Sequence, residues 1–126
     1  MSRVNIPTGA KWEDIVGYSR AVRIGNIIEV SGTVSLKDGA LYGKGDAYLQ
    51  TKRILEIISD SLKKAGVSLE DVIRTRIYVT DISLWPAIGK AHSEAFDKIR
   101  PATSMVEISG LIDKEYLVEI EATAVA

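Results

Sequence analysis

The 126 residues are 46% hydrophobic and 26% charged, with three prolines, enough apolar material for one core, and a single domain over 1–126 is expected. Sixteen basic residues against seventeen acidic ones give a net charge of -1 without a long basic run, which argues against nucleic acid or an acidic membrane as a partner. Without cysteine there is no disulfide framework, thiol nucleophile or thiolate metal site; the single histidine builds no metal cluster, and no metal is expected.

Met1 to Trp12 is mixed polar, with no apolar run of leader length, and no segment approaches the roughly 20 apolar residues that span a bilayer. A cytoplasmic protein is expected. Ala21 to Arg23 and Ile27 to Val34 read as two strands around Gly25-Asn26, a short-hairpin signal with the usual order of the two residues reversed. Lys37 to Gly45, with Asp38, Gly39, Gly43 and Gly45, reads as a loop.

From Asp46 the period changes. Ala47, Ile54, Leu55, Ile58, Leu62 and Ala65 form an apolar stripe, with Lys52, Arg53, Glu56, Asp60 and Lys63 opposite, which predicts a long amphipathic helix. Asp46 suits its N-cap and Gly66 a left-handed stop, and Ser68 with Asp71 suits the cap of a short turn. Val72 to Val79 alternates, placing Ile73, Thr75, Ile77 and Val79 on one face and Arg74, Arg76 and Tyr78 on the other. Leu84, Ile88, Ala91 and Ala95, flanked by Trp85, His92, Phe96 and Ile99, mark a second helix that Pro101 ends. Ala102 to Ile108 and Leu117 to Val125 supply two closing strands. The order predicts an α+β fold: a mixed, mainly antiparallel sheet with two helices on one face.

Three segments carry a family resemblance: GYSRAVRIGNIIEVSGT (Gly17 to Thr33), RPATSMVE (Arg100 to Glu107) and LVEIEATAV (Leu117 to Val125). In this order and spacing they resemble the Rid family, also called YjgF, whose best-known members hydrolyse reactive enamines and imines to carbonyl compounds. The resemblance runs from about Gly17 to the C-terminal residue. It implies a chorismate-mutase-like homotrimer, with sheets facing one another inside, helices outside, and a small-molecule pocket between neighbouring subunits. Arg74 and Arg76 could then meet Glu107, Glu119 or Glu121 in the trimer interior, although solvated sheet charges would give the same pattern.

The resemblance also implies a site. Tyr18 matches a pocket tyrosine whose phenol could bond a ligand or a water, or simply pack. Ser31 and Gly32 match a turn where backbone comes close to the ligand; their other reading is a strand-end bend. Glu119 aligns with the glutamate that positions the attacking water, suiting a general base, with Glu121 two residues on as the alternative. Thr103 stands where the imine-hydrolysing members hold an arginine that grips the substrate carboxylate, and Met105, on the same strand face, stands where a cysteine is common.

An arginine offers a charged planar fork to a carboxylate, whereas threonine offers one hydroxyl. Losing such an anchor costs about 2 to 5 kcal/mol, so efficient hydrolysis of amino-acid-derived imines is not expected. Arg20, Arg74 and Arg76 are candidate replacements for the charge. Lys90 falls where relatives carry an asparagine but suits a solvated helix face, and His92 suits burial against the sheet better than catalysis. No GxSxG elbow, GxGxxG or phosphate-cradling glycine loop occurs, and no cofactor is expected.

Three classes of function follow: a Rid-like hydrolase with Glu119 and Tyr18 as catalytic residues and Ser31, Gly32, Thr103 and Met105 around the ligand; a noncatalytic metabolite-binding trimer using the same pocket; and RNA cleavage, which the balanced charge and missing aromatic-basic motif place last.

Overall fold

The computed structural model describes residues 2–126. In chain order these form β1 (Arg3–Ile6), α1 (Lys11–Val16), β2 (Ala21–Ile24), β3 (Ile27–Thr33), β4 (Leu36–Lys37), β5 (Ala40–Leu41), α2 (Ala47–Lys64), β6 (Val72–Val79), α3 (Trp85–Phe96), β7 (Ala102–Glu107) and β8 (Val118–Val125). Six strands make one sheet in the order β1-β2-β3-β8-β6-β7, antiparallel except for the β6/β7 pair at one edge. This is the mixed, mainly antiparallel sheet that the periodicities predict.

Both long helices lie on one face of that sheet. The α2 stripe buries Ile54, Ile58 and Leu62 completely, and α3 adds Ile88 and Phe96; these meet Ile28, Ile77, Val79, Val118 and Ile120 in one core. The ends of α2 are chemically specified: the Asp46 carboxylate accepts the Leu49 N–H at 3.0 Å, and Gly66 takes φ +86° just past the last turn. Ser68 and Asp71 form a reciprocal capping box on the turn that feeds β6. Gly25, at φ +59°, closes the tight β2/β3 hairpin in which Ile24 faces Ile27.

The structure departs from the sequence reading in four places. β1 and α1 were not expected: β1 buries only Ile6, and α1 buries Glu13 rather than an apolar side chain, so neither shows the usual alternation. The expected loop Lys37 to Gly45 contains the β4/β5 hairpin, turned by Asp38 at φ +52° and Gly39 at φ +79°, the two positive angles of a type I′ turn. Ile73 does not point to the core. The ladder with β8 slips between Val72 and Arg74, so Val72 takes the buried place and Ile73 is 52% exposed.

Gln50 links this scaffold to the segment that enters β8. Fully buried on α2, it donates to the carbonyls of Gly43 and Glu115 at 3.1 Å each and accepts the Leu117 N–H at 2.9 Å. The entry to β8 is thereby anchored two residues before Glu119.

Candidate functional site

The first cluster begins where α1 stops. Gly17, at φ +87°, ends the helix in the left-handed conformation, and the N–H groups of Gly17 and Tyr18 both donate to the Glu13 carbonyl, at 2.9 and 3.0 Å. The reversal places Tyr18 beside Arg20, whose side chain is buried by the turn between Val30 and Thr33. Arg20 Nη1 donates to the Gly32 carbonyl at 2.6 Å and to Thr33 Oγ1 at 3.0 Å, and Nη2 donates to Tyr18 Oη at 3.3 Å. Ser31 completes the knot, its hydroxyl donating to the Ser19 carbonyl at 2.6 Å.

β3 shifts register against β8 between Val30 and Thr33, so Ser31 and Gly32 lie at a bulge inside the strand. Gly32 has a spatial reason to lack a side chain. A Cβ there would lie 2.7 Å from Glu119 Oε1 and 2.8 Å from its Cδ, closer than real contacts allow. The bulge thus lets backbone and carboxylate share one small volume.

Glu119 and Glu121 share the open face of β8 but have different surroundings. Glu121 accepts the Tyr78 hydroxyl at 2.9 Å. Glu119 is half-buried and has no hydrogen-bond partner among the described residues. Burial is the main cause holding its carboxyl above the ordinary glutamate range, the Glu121 charge adds to the effect, and Arg20 opposes it. Tyr78 is raised in turn, chiefly by its hydrogen bond to Glu121.

A second cluster lies two strands away, on the other side of the sheet. β7 runs parallel to β6 with Thr103 opposite Thr75 and Met105 opposite Ile77, and both of those partners point to the helices. Thr103 Oγ1 shares a hydrogen with Thr75 Oγ1 at 2.7 Å, and Thr75 Oγ1 meets His92 Nε2 at 2.9 Å. A cleft of about 320 Å³ beside this chain is lined by His92, Phe96, Asp97, Arg100, Pro101 and Thr103. Met105 is outside that lining and packs against the core. His92 packs on Phe96 with ring centroids 4.7 Å apart, and burial holds its imidazole below the ordinary histidine value.

Of the expected site residues, one protomer therefore gathers Tyr18, Ser31, Gly32 and Glu119 along β2, β3 and β8, and sets Thr103 and Met105 on the far edge strand. Arg74 donates to Ser104 Oγ at 2.8 Å, and among the described residues neither it nor Arg76 pairs with Glu107, Glu119 or Glu121 within the chain. Glu107 accepts the Ile82 N–H instead. Lys90 is exposed, its ammonium 5.3 Å from the Tyr48 ring centroid. Sequence reasoning named Arg20 only as a charge without a place; its position two residues after Tyr18, at the mouth of a strand, was the available signal. Among the described residues no group of three or more His, Asp or Glu could hold a metal ion, and no helix is long and apolar enough to cross a membrane.

An α+β scaffold with a carboxylate set against a glycine bulge defines the class to which comparison then gives a family. Residues 8–126 match the family described as Endoribonuclease L-PSP. The chain is 37% identical over 108 residues to the 3-aminoacrylate deaminase RutC of Acinetobacter baylyi, covering 85% of each. It is 38% identical over 109 residues to a RutC family protein of Pyrococcus abyssi, covering 85% of this chain and 84% of that one. The crystal structure of a YjgF/YER057c/UK114 family member from Mycobacterium tuberculosis superposes with a TM-score of 0.91 at 50% identity, over 99% of this chain and all of that one. The chain belongs to the Rid/YjgF family.

Proposed function

We propose that this chain is a Rid-type hydrolase of a small enamine or imine, working from a cleft completed by a second copy of the chain. The observation that carries the proposal is the Glu119 carboxylate: half-buried, free of internal partners among the described residues, and set against a bulge where Gly32 leaves room for the carboxylate. A carboxylate whose pKa is raised toward neutrality can take a proton from water and return it to a leaving amine. For an imine, or an enamine once tautomerised to one, water adds to the C=N carbon as Glu119 takes its proton and passes it to nitrogen, Tyr18 hydrogen-bonds the carbinolamine, and the C–N bond then breaks as the hydroxyl proton moves by way of Glu119 to the departing nitrogen, leaving a carbonyl compound and ammonia. A relative named for deaminating 3-aminoacrylate, an enamine, supports this substrate class.

Two further features support a site between subunits. Glu119 stands on the inner strand β8 and Thr103 on the edge strand β7, on opposite faces of the sheet, and the open sheet face carries Arg74 and Arg76 without carboxylate partners in their own chain. A homotrimer with facing sheets would bring the β7 edge of one protomer to the open face of its neighbour and offer those arginines acidic partners. Sedimentation should then report three times the 13.7 kDa protomer mass.

Thr103 is the specificity element in this proposal. With an uncharged hydroxyl in the place of an arginine, the cleft should favour imines without a carboxylate. Ammonia release from matched imines with and without a carboxylate tests the reaction, and Thr103→Arg should gain turnover of the carboxylate-bearing one. No turnover of either, together with saturable binding, would support the second reading, a metabolite-binding trimer, which rests on the same missing charge. The description of the matching family names an endoribonuclease, but the balanced charge of this chain gives little attraction for RNA, and any RNA cleavage should disappear on stringent repurification.

A further inference from the structure

Arg20 is 6% exposed, a permanent cation enclosed at the margin of the candidate site. A buried guanidinium is costly unless its hydrogens are used, and here the fork joins three separate pieces of the site. It holds the bulge through the Gly32 carbonyl and Thr33 Oγ1, and it holds Tyr18 through the phenol oxygen. Because guanidinium can only donate, Tyr18 Oη is the acceptor, which leaves the phenol hydrogen free to point at something else. The guanidinium carbon also lies 5.5 Å from the Tyr18 ring centroid.

The charged and titratable groups facing Glu119 come from three elements. Glu121 comes from β8 itself, Tyr78 and Arg76 from β6, and Arg20 from the segment before β2, with Tyr18 held against it. Arg76 stands opposite Glu121 in the ladder, and Tyr78, opposite Glu119, gives its hydroxyl to Glu121. Arg20 is the fixed cation left for Glu119. We infer that Arg20 is the positioning residue of this site: it pins the Gly32 bulge against Glu119, presents Tyr18 as a hydrogen-bond donor, and keeps Glu119 able to ionise in a half-buried setting. The inference rests on the proposed function but is tested apart from it. Its role differs from a carboxylate anchor, because most of the guanidinium hydrogens are already engaged by the protein.

The test is carboxyl-carbon NMR titration of Glu119 in the wild type, Arg20→Lys and Arg20→Gln, with no substrate present. Arg20→Gln should move the Glu119 midpoint upward, and Arg20→Lys, which keeps the charge but not the fork, should bring it back near wild type. An unchanged midpoint in Arg20→Gln, or equal displacement in both variants, overturns the inference. Should Arg20→Gln not fold, the wild type and Glu119→Gln decide: the Arg20 guanidinium nitrogen resonances should move with the Glu119 midpoint in the wild type and stay flat in Glu119→Gln. Flat Arg20 resonances in the wild type overturn it as well. Failure of the hydrolase reading would show instead as no ammonia release by a protein whose Arg20 and Glu119 titrate together.

Discussion

The two flanks of the sheet handle buried polarity in opposite ways. On the β3/β8 flank a carboxylate is left without a partner, beside a bulge, a glycine and an enclosed cation. On the β6/β7 flank the polar chain that runs inward to the helices is neutral and paired: Thr103 to Thr75, and Thr75 to His92. A paired neutral chain lowers energy and holds elements together, whereas an unpaired carboxylate raises energy and can react. Chemistry is therefore expected from the first flank, and selectivity and stability from the second.

The largest effect should come from Glu119→Gln. Removing a general base lowers turnover by about 10²- to 10⁴-fold, read as kcat/KM for ammonia release. Stability should go the other way at neutral pH. Because the folded-state pKa of Glu119 is raised, its stabilising contribution is present below the ordinary carboxylate value and lost as pH rises through the folded value. At pH 7 the wild type carries that loss and the glutamine variant does not. Its melting temperature should match or exceed wild type at neutral pH, with a smaller advantage near pH 4.

Gly32→Ala separates space from charge on the same flank. The new methyl would meet the mobile end of Glu119 rather than backbone, and Gly32 is not in the left-handed region, so the fold should accept it with a loss of about 1 kcal/mol. The carboxylate must swing away. A displacement of that order costs about 10- to 100-fold in turnover, and a variant that folds well and reacts normally would show that the close approach is incidental.

Thr75→Val attacks the other flank. Valine fills the space of a fully buried threonine but strips the partner from His92 Nε2 and leaves Thr103 Oγ1 only the Pro101 carbonyl at 3.3 Å, which should cost about 1 to 3 kcal/mol in denaturant unfolding. Turnover of imines without a carboxylate should change little, since no Glu119-side contact is touched.

The difference between the flanks was only partly legible in the sequence. The α2 stripe, the alternation of Val72 to Val79 and the caps at Asp46, Gly66 and Ser68 are local signals, and the structure reproduces them. Ile73 shows where alternation stops being a guide: a one-residue slip in a ladder depends on the partner strand, which spacing along one segment does not reveal. α1 escaped because its buried residue is Glu13, engaged by the Thr8 N–H, while its apolar Ile15 and Val16 are exposed, so no apolar stripe marks it. The family motifs located Glu119 and Thr103, but their separation depends on β8 inserting between β3 and β6. Arg20 was legible as a charge and not as a cluster, because its acceptors are carbonyls and hydroxyls brought together by the bulge.

The smallest effect belongs to His92 and distinguishes a structural imidazole from a reactive one. Its folded-state pKa is depressed by burial, so folding excludes the protonated ring. For a base lowered in this way the unfolded chain binds the proton first. Stability is complete above the ordinary histidine value of 6.5 and falls as acidification passes below it toward the folded value. His92→Gln, which keeps a group able to bond Thr75, should lose less melting temperature between pH 7 and pH 5 than the wild type, while its ammonia release at pH 7 stays within about twofold. An unchanged acid slope would mean that the His92 ring is as free to protonate in the folded protein as in the unfolded chain, and the neutral character assigned to the Thr103–Thr75–His92 chain would be wrong.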